Sequence, residues 1–102
     1  MVGIKVVSTG HAVPDKVVTN DDLSRVVDTN DEWIYSKTGI KERHFCENET
    51  NWELALKAAD TAIERAGIDK SEIGMLIVAT FTPDYATPSI ACVLHEKMGL
   101  RT

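Results

Sequence analysis

The spacing of apolar and polar positions along the chain predicts a mixed helix and strand order. Residues 4–9 are β-branched and partly alternating, the pattern of a strand, and Gly10 and Pro14 punctuate the turn after it. Asn20 stands where it can cap a short helix over residues 21–27, with acids in the first turn. Asn30 or Thr29 can cap a second helix over 31–37, which Gly39 would end. Residues 40–46 alternate loosely and predict an edge strand or an extended loop. The clearest signal follows. Thr50 and Glu53 form a capping box, and Trp52, Ala55, Leu56, Ala59, Ala62, Ile63 and Ala66 then fall on one stripe of a helix that Gly67 would close. Most of that stripe is alanine, so its partner can approach closely. Residues 75–81 form an apolar run of strand length, interrupted only by Thr80, and a strand apolar on both faces asks for cover on both, the habit of a central parallel strand. Pro83 and Asp84 break it. Thr87 and Pro88 predict an N-cap and first helical position. The helix would cover 88–98, bury Ile90, Ala91, Leu94 and Met98, and stop at Gly99.

That order leaves a central strand with at most one partner, right up to Leu100, Arg101 and Thr102, where a further strand is expected. A long unpaired edge is a liability for an isolated protein, so the pattern by itself predicts an incomplete domain. With 102 residues the chain has the length of one domain at most, without repeat, low-complexity tract or interdomain linker. Eleven Lys and Arg against 16 Asp and Glu give a net charge of −5 with no basic run, which argues against nucleic acid and anionic membrane as partners. No apolar stretch approaches the roughly 20 residues of a membrane span, and the N-terminal residues carry no secretory leader pattern. Two cysteines, Cys46 and Cys92, form no disulfide framework and read as reduced thiols in a cytoplasm.

Candidate chemistry is sparse. His44 with Cys46 and Cys92 with His95 are two loose pairs, where zinc asks for about four converging ligands, so no metal site is predicted. Cys92 reads as a small buried residue on the apolar side of its helix rather than a nucleophile. No Ser-His-Asp order, phosphate loop or dinucleotide fingerprint is present, and the acid pairs Asp21-Asp22 and Asp31-Glu32 suit helix first turns. The segment from Asp28 to His44 differs, being dense in recognition residues. Trp33 and Lys37 are four apart on one helix face, where an indole can stack on a flat base and an ammonium can meet its phosphates. The hydroxyl of Thr29 can hydrogen-bond a base edge. Taken alone, these residues favour the plainer alternative, in which Trp33 and Ile34 anchor a short helix to the core.

The run Val17-Val-Thr-Asn-Asp-Asp-Leu, then Asp31-Glu-Trp-Ile, then Thr38-Gly-Ile-Lys-Glu-Arg-His resembles the opening of β-ketoacyl-acyl-carrier-protein synthase III, a thiolase-fold condensing enzyme. The resemblance continues through Ala58-Ala to Ala66-Gly, Ile77-Val-Ala-Thr and Pro88-Ser-Ile-Ala-Cys, and so covers the chain in the family's order. It implies an α/β, partial thiolase-like fold, with residues 1–102 forming an incomplete N-terminal domain that stops before the catalytic cysteine. It implies that Trp33 stacks on the adenine of coenzyme A, that Thr29 lies beside that adenine, and that Lys37 stands where many members have an arginine on the nucleotide. The charge is kept there, but not the planar fork of bidentate phosphate contact. Thr87 matches the position that reaches across a homodimer into the partner's acyl pocket, where some members carry a shortening phenylalanine.

The resemblance also implies that the Cys-His-Asn triad lies outside these residues. Cys92 matches a helix cysteine upstream of the nucleophile, and Cys46 matches nothing catalytic. The chain alone is therefore expected to be inactive, with no catalytic residue, metal or resident cofactor. Acyl-CoA is a substrate of the intact enzyme, and malonyl-acyl carrier protein is its other partner, with type II fatty acid synthesis as the setting. A quinolone, polyketide-starter or hydroxymethylglutaryl-CoA synthase type would use the same clamp. A stand-alone binding module is the remaining alternative, and the unpaired edge argues against it.

Overall fold

The computed structural model describes residues 3–102. Met1 and Val2, at the head of the segment read above for a leader, lie outside the described residues. Along the chain run β1 (Lys16–Thr19), α1 (Asn20–Ser24), α2 (Asp31–Thr38), β2 (Glu42–Phe45), α3 (Asn51–Ala66), a 3-10 turn (Lys70–Glu72) and α4 (Ile90–Met98). They fall into two compact units: residues 13–48, and the N-terminal residues up to Ala12 together with Glu49–Thr102.

In the unit of residues 13–48, β1 pairs antiparallel with β2, setting Val18 opposite Arg43 and Thr19 opposite Glu42. Within residues 40–46, Glu42–Phe45 thus resolve as a strand, with β1 as a partner that the apolar pattern did not mark. Val18 is buried, and Lys16 meets Glu47 at 2.8 Å on the exposed rim. The cap of α1 is Thr19, not Asn20. The Thr19 hydroxyl accepts from Asp22 N, and Asp22 accepts from Thr19 N, a closed capping box. The helix is also shorter than expected. It stops at Ser24, and Val26 and Val27 fold back so that both amides donate to Leu23 O. Both valines are exposed, so carrying the helix on to them would bury nothing.

The other unit is built on α3 and α4. The helix α3 begins at the Thr50–Glu53 capping box and ends at Gly67, whose φ of 66° is left-handed, as the sequence predicts. Ile90, Leu94 and Met98 form a buried line on α4, joined by Leu100, and Trp52, Ala55, Leu56, Ala59 and Ile63 of α3 pack against it. The alanine stripe also receives a backbone. Ser8 Oγ donates to Ala62 O, Arg65 donates to Thr9 O, and Gly10 lies directly on the helix.

Four expectations are corrected in this unit. Residues 4–9 and 75–81 are not strands, and among the described residues the sheet assigned is the β1–β2 pair. Packing on one side survives without the ladder. Ile73, Leu76 and Val78 turn to the helices, whereas Met75, Ile77 and Phe81 are exposed, as are Ile4, Val6 and Val7. A helix face supplies apolar contact but no hydrogen-bonding edge, so neither run gains a ladder from it. The helix α4 starts at Ile90 with Ser89 as its cap, accepting from Cys92 N. Thr87 and Pro88 lie outside it, joined by a cis peptide. Cys92 is exposed, because α4 buries positions 90, 94 and 98 and residue 92 falls on another side.

The two capping boxes, with a third between Asp69 and Glu72 on the 3-10 turn, also fix the acid behaviour. Asp22 is held below the ordinary carboxylate value of 3.8 by Thr19, and Glu53 below 4.5 by Thr50, in each case first through the backbone N–H and then through the side chain. Asp69 is likewise lowered from 3.8 by the backbone N–H of Ser71. A lowered folded-state value stabilises the fold above the unfolded value and is lost as pH falls through the folded one. Helix content followed by circular dichroism should therefore hold from neutral pH to about pH 5 and decline below about pH 4. Thr50→Ala, which removes one partner of Glu53, should flatten that acid limb. An acid limb identical to that of the parent would count against the assignment.

Candidate functional site

The helix α2 is positioned by very few contacts. Asn30 caps it, accepting from Trp33 N at 2.8 Å, and Gly39 closes it at φ 70°. Thr38 Oγ donates to Ile34 O at 2.7 Å and accepts from Ile40 N at 3.0 Å, which ties the exit turn to the helix. Ile34 alone of the helix is buried. Trp33 is 58% exposed and Lys37 is exposed. The plainer expectation for Trp33 is thus corrected: Ile34 is the anchor, and the indole faces out. An indole held to a cap by its own amide, yet left in solvent, is apolar surface available to a flat ligand. Lys37 follows it one turn on, on the same face. The other aromatic of α2, Tyr35, carries Lys41 over its ring at 5.6 Å.

Thr29 behaves differently from the expectation of an available hydroxyl. Its Oγ is buried and has no hydrogen-bond partner among the described residues. The structure thus brings Trp33 and Lys37 together on one open face and places Thr29 just ahead of their helix with its oxygen turned out of solvent. Thr87 lies in the other unit, exposed, between Asp84 and the α4 cap Ser89.

What holds α2 at its N-terminal end is a residue that the sequence marked only as a cap. Asn20 is 1% exposed. Its Nδ2 donates to Asp31 Oδ1 at 2.8 Å and to Ile40 O at 2.7 Å, and its Oδ1 accepts from Arg43 at 2.6 Å. Arg43 also donates to Val18 O at 3.1 Å. One side chain therefore joins α1, the first turn of α2 and the entry to β2, with every polar atom used. Thr19, Asn20, Asp31 and Arg43 within the quoted motifs are thus scaffold, whereas Trp33, and Lys37 between two of those motifs, are exposed to solvent.

The loose histidine pairs have other engagements. His44 Nδ1 meets Pro14 O at 2.6 Å and His95 Nε2 meets Arg101 O at 3.0 Å, so each ring nitrogen serves as a donor to a backbone carbonyl. Among the described residues no group of three His, Cys, Asp or Glu is arranged to hold a metal ion, and no helix is long and apolar enough to cross a membrane.

The chain is 50% identical over 101 residues to a β-ketoacyl-[acyl-carrier-protein] synthase III of Clostridium acetobutylicum, covering 99% of this chain and 31% of that protein. The crystal structure of 3-oxoacyl-[acyl-carrier-protein] synthase III from Aquifex aeolicus superposes at a TM-score of 0.92, with 40% identity, over 97% of this chain and 32% of that one. Nearly the whole of this chain is similar to β-ketoacyl-[acyl-carrier-protein] synthase III proteins. Its fold is a partial thiolase-like α/β fold. The chain spans about a third of the length of the synthase III proteins it matches. The priming β-ketosynthase of the R1128 polyketide pathway also superposes, at a TM-score of 0.87 and 31% identity, over 93% of this chain and 29% of that one. No family model matches the chain.

Proposed function

We propose that this chain supplies the nucleotide contact and part of the acyl-channel wall of a cytoplasmic, homodimeric condensing enzyme that starts fatty acid chains. The observation that carries the reading is the exposed indole of Trp33, backed by Lys37 one turn along, within a chain 99% of which aligns with a synthase III protein. Trp33 would stack on the adenine of acyl-CoA, and Lys37 would meet its phosphates as a point charge. Thr29 would serve the adenine only after its hydroxyl rotates out of its buried position. Thr87 would reach the acyl pocket of a second copy, where its small side chain leaves room for a longer or branched primer.

The chemistry belongs to a Cys-His-Asn triad outside these residues. The cysteine thiolate would attack the acyl-CoA carbonyl, forming a cysteine thioester and expelling coenzyme A as its thiolate, which takes a proton from water on release. Malonyl-acyl carrier protein would then lose carbon dioxide. The resulting enolate carbon, its oxygen held by the His and Asn, would attack the thioester and return the thiolate. The 102-residue chain alone would turn over no acyl-CoA.

In a complete synthase containing this chain, Trp33→Ala should raise KM for acyl-CoA about tenfold to a hundredfold, the range of one lost base–aromatic stack. KM for malonyl-acyl carrier protein should stay put. An unchanged acyl-CoA KM would overturn the adenine assignment, and turnover by the isolated chain would overturn the inactivity. The superposition on a polyketide-priming ketosynthase supports a second reading, in which the same clamp loads a polyketide starter. The two separate on whether the complete enzyme takes its malonyl unit from a fatty acid or a polyketide carrier protein.

A further inference from the structure

We propose that Asp84 and Asn51 are positioning residues that set primer choice by fixing the loop carrying Thr87, an inference that rests on the acyl-pocket reading of Thr87. The Asp84 carboxylate accepts from two successive backbone amides at the start of α3, Asn51 N at 2.9 Å through Oδ1 and Trp52 N at 2.8 Å through Oδ2. Those amides have no partner within the helix, and they carry its positive end, so a carboxylate suits them in charge and in geometry. The Asn51 side chain reaches back across the same junction, donating to Thr80 Oγ at 3.0 Å and to Thr82 O at 3.2 Å. Four hydrogen bonds thus fasten the segment from Thr80 to Asp84 to the helix.

The next fixed point is Ser89, whose Oγ accepts from Cys92 N at 3.2 Å and caps α4. Between Asp84 and Ser89 lie only Tyr85, Ala86, Thr87 and Pro88. The span that presents Thr87 is therefore tied at both ends to helix N-termini. It also walls an open hollow of about 210 Å³, lined by Thr80, Pro83, Tyr85 and Ala86 together with Ser89 and Ile90. A side chain that measures the length of a primer discriminates only if its backbone cannot retreat, because small displacements at a selecting wall change the rate ratio strongly. Asp84 touches no reacting atom. It acts through the loop.

The test uses a complete synthase containing this chain, with kcat/KM measured for a short straight acyl-CoA and for a longer or branched one. Asp84→Ala and Asn51→Ala should each move the ratio between the two primers by about three- to tenfold, with KM for malonyl-acyl carrier protein unchanged. Asp84→Asn keeps a carbonyl acceptor for one amide and should fall between Asp84→Ala and the parent. Amide hydrogen exchange should quicken at Asn51, Trp52 and residues 85–87 in the same order. Thr87→Phe is the control. If it shifts primer choice and neither clamp variant does, the clamp proposal is overturned while the Thr87 reading stands. If Thr87→Phe itself has no effect, both fall. A uniform loss of rate on all primers, without a change in ratio, also overturns the proposal, because that is the mark of a merely structural contact.

Discussion

Gly10→Ala is expected to destabilise the chain by about 2–3 kcal/mol, the range for forcing an extra methyl into packed surroundings. A Cβ at residue 10 would stand 2.3 Å from Ala58 O and 2.8 Å from Ala62 N, with Ala62 Cβ at 3.2 Å. The first two are backbone atoms of α3, so no rotamer change relieves the clash. Either the helix or the segment of residues 8–10 must retreat. Retreat would also break the bonds from Ser8 to Ala62 O and from Arg65 to Thr9 O, made by the two residues just before Gly10. Gly74→Ala and Gly3→Ala are the controls, since nothing lies within 4 Å of a Cβ at either and neither glycine has a positive φ. Both should be neutral or slightly stabilising, through the narrower unfolded ensemble. Urea denaturation of the three variants decides it. A midpoint for Gly10→Ala equal to that of the two controls would show that the close approach is not required.

That contact also shows where sequence reading reaches and where it stops. The alanine stripe at 55, 59, 62 and 66 announces a close partner, and it has one. The stripe cannot say that the partner is the backbone at Gly10, because a one-residue approach leaves no periodic trace. Several signals confined to a few neighbours are legible, namely the Thr50–Glu53 box and the left-handed stops at Gly39, Gly67 and Gly99, although the Thr19–Asp22 box is misread as an Asn20 cap. Strands at 4–9 and 75–81 are not, since a ladder needs a partner edge far away in sequence, and β-branched composition reports only one face's appetite for cover. The first turn of α4 misleads for a local reason. Thr87 and Ser89 are both competent caps on either side of Pro88, and it is the Ser89 bond to Cys92 N that settles the choice. For the candidate site, spacing puts Trp33 and Lys37 on one face, and the plainer reading of the residues sets both Trp33 and Ile34 against the core. Burial of Ile34 leaves the indole free. Asp84 is legible only as a strand breaker beside Pro83, because its partners lie more than 30 residues away in sequence.

Asn20 carries the other large expected effect, and it follows from the same competition between neighbours. Thr19 and Asn20 are both good caps, and Thr19 takes that role because Asn20 has three distant partners to satisfy. Asn20→Ala removes all three bonds and strands Ile40 O and the Arg43 guanidinium beside a cavity. A loss of about 3 kcal/mol is expected, from bonds to charged groups and a buried acceptor left without a donor. Asn20→Asp is the sharper test, because it keeps the shape and removes only the donors. The substituted carboxylate would face Asp31 Oδ1 across the present 2.8 Å contact, oxygen against oxygen. Burial and the Asp31 carboxylate raise its pKa and the Arg43 guanidinium, 2.6 Å from Oδ1, lowers it; where the first two prevail, protonation restores a donor. The sign is then the reverse of the parent's: Asn20→Asp should gain stability as pH falls from 7 toward about 5, while the parent stays flat above its lowered carboxylates. Asp31→Asn in the same background should recover part of the loss at neutral pH by removing the like charge. Because the Asn20 contact holds the first turn of the helix that presents Trp33, the adenine contact proposed for Trp33 would have coenzyme A affinity of a complete enzyme fall and recover along with stability. Thermal unfolding of the single and double variants at the two pH values checks the scheme. Equal destabilisation of Asn20→Asp at both pH values, with no recovery on Asp31→Asn, would place the energetic weight of the junction elsewhere, on Arg43 and its bond to Val18 O.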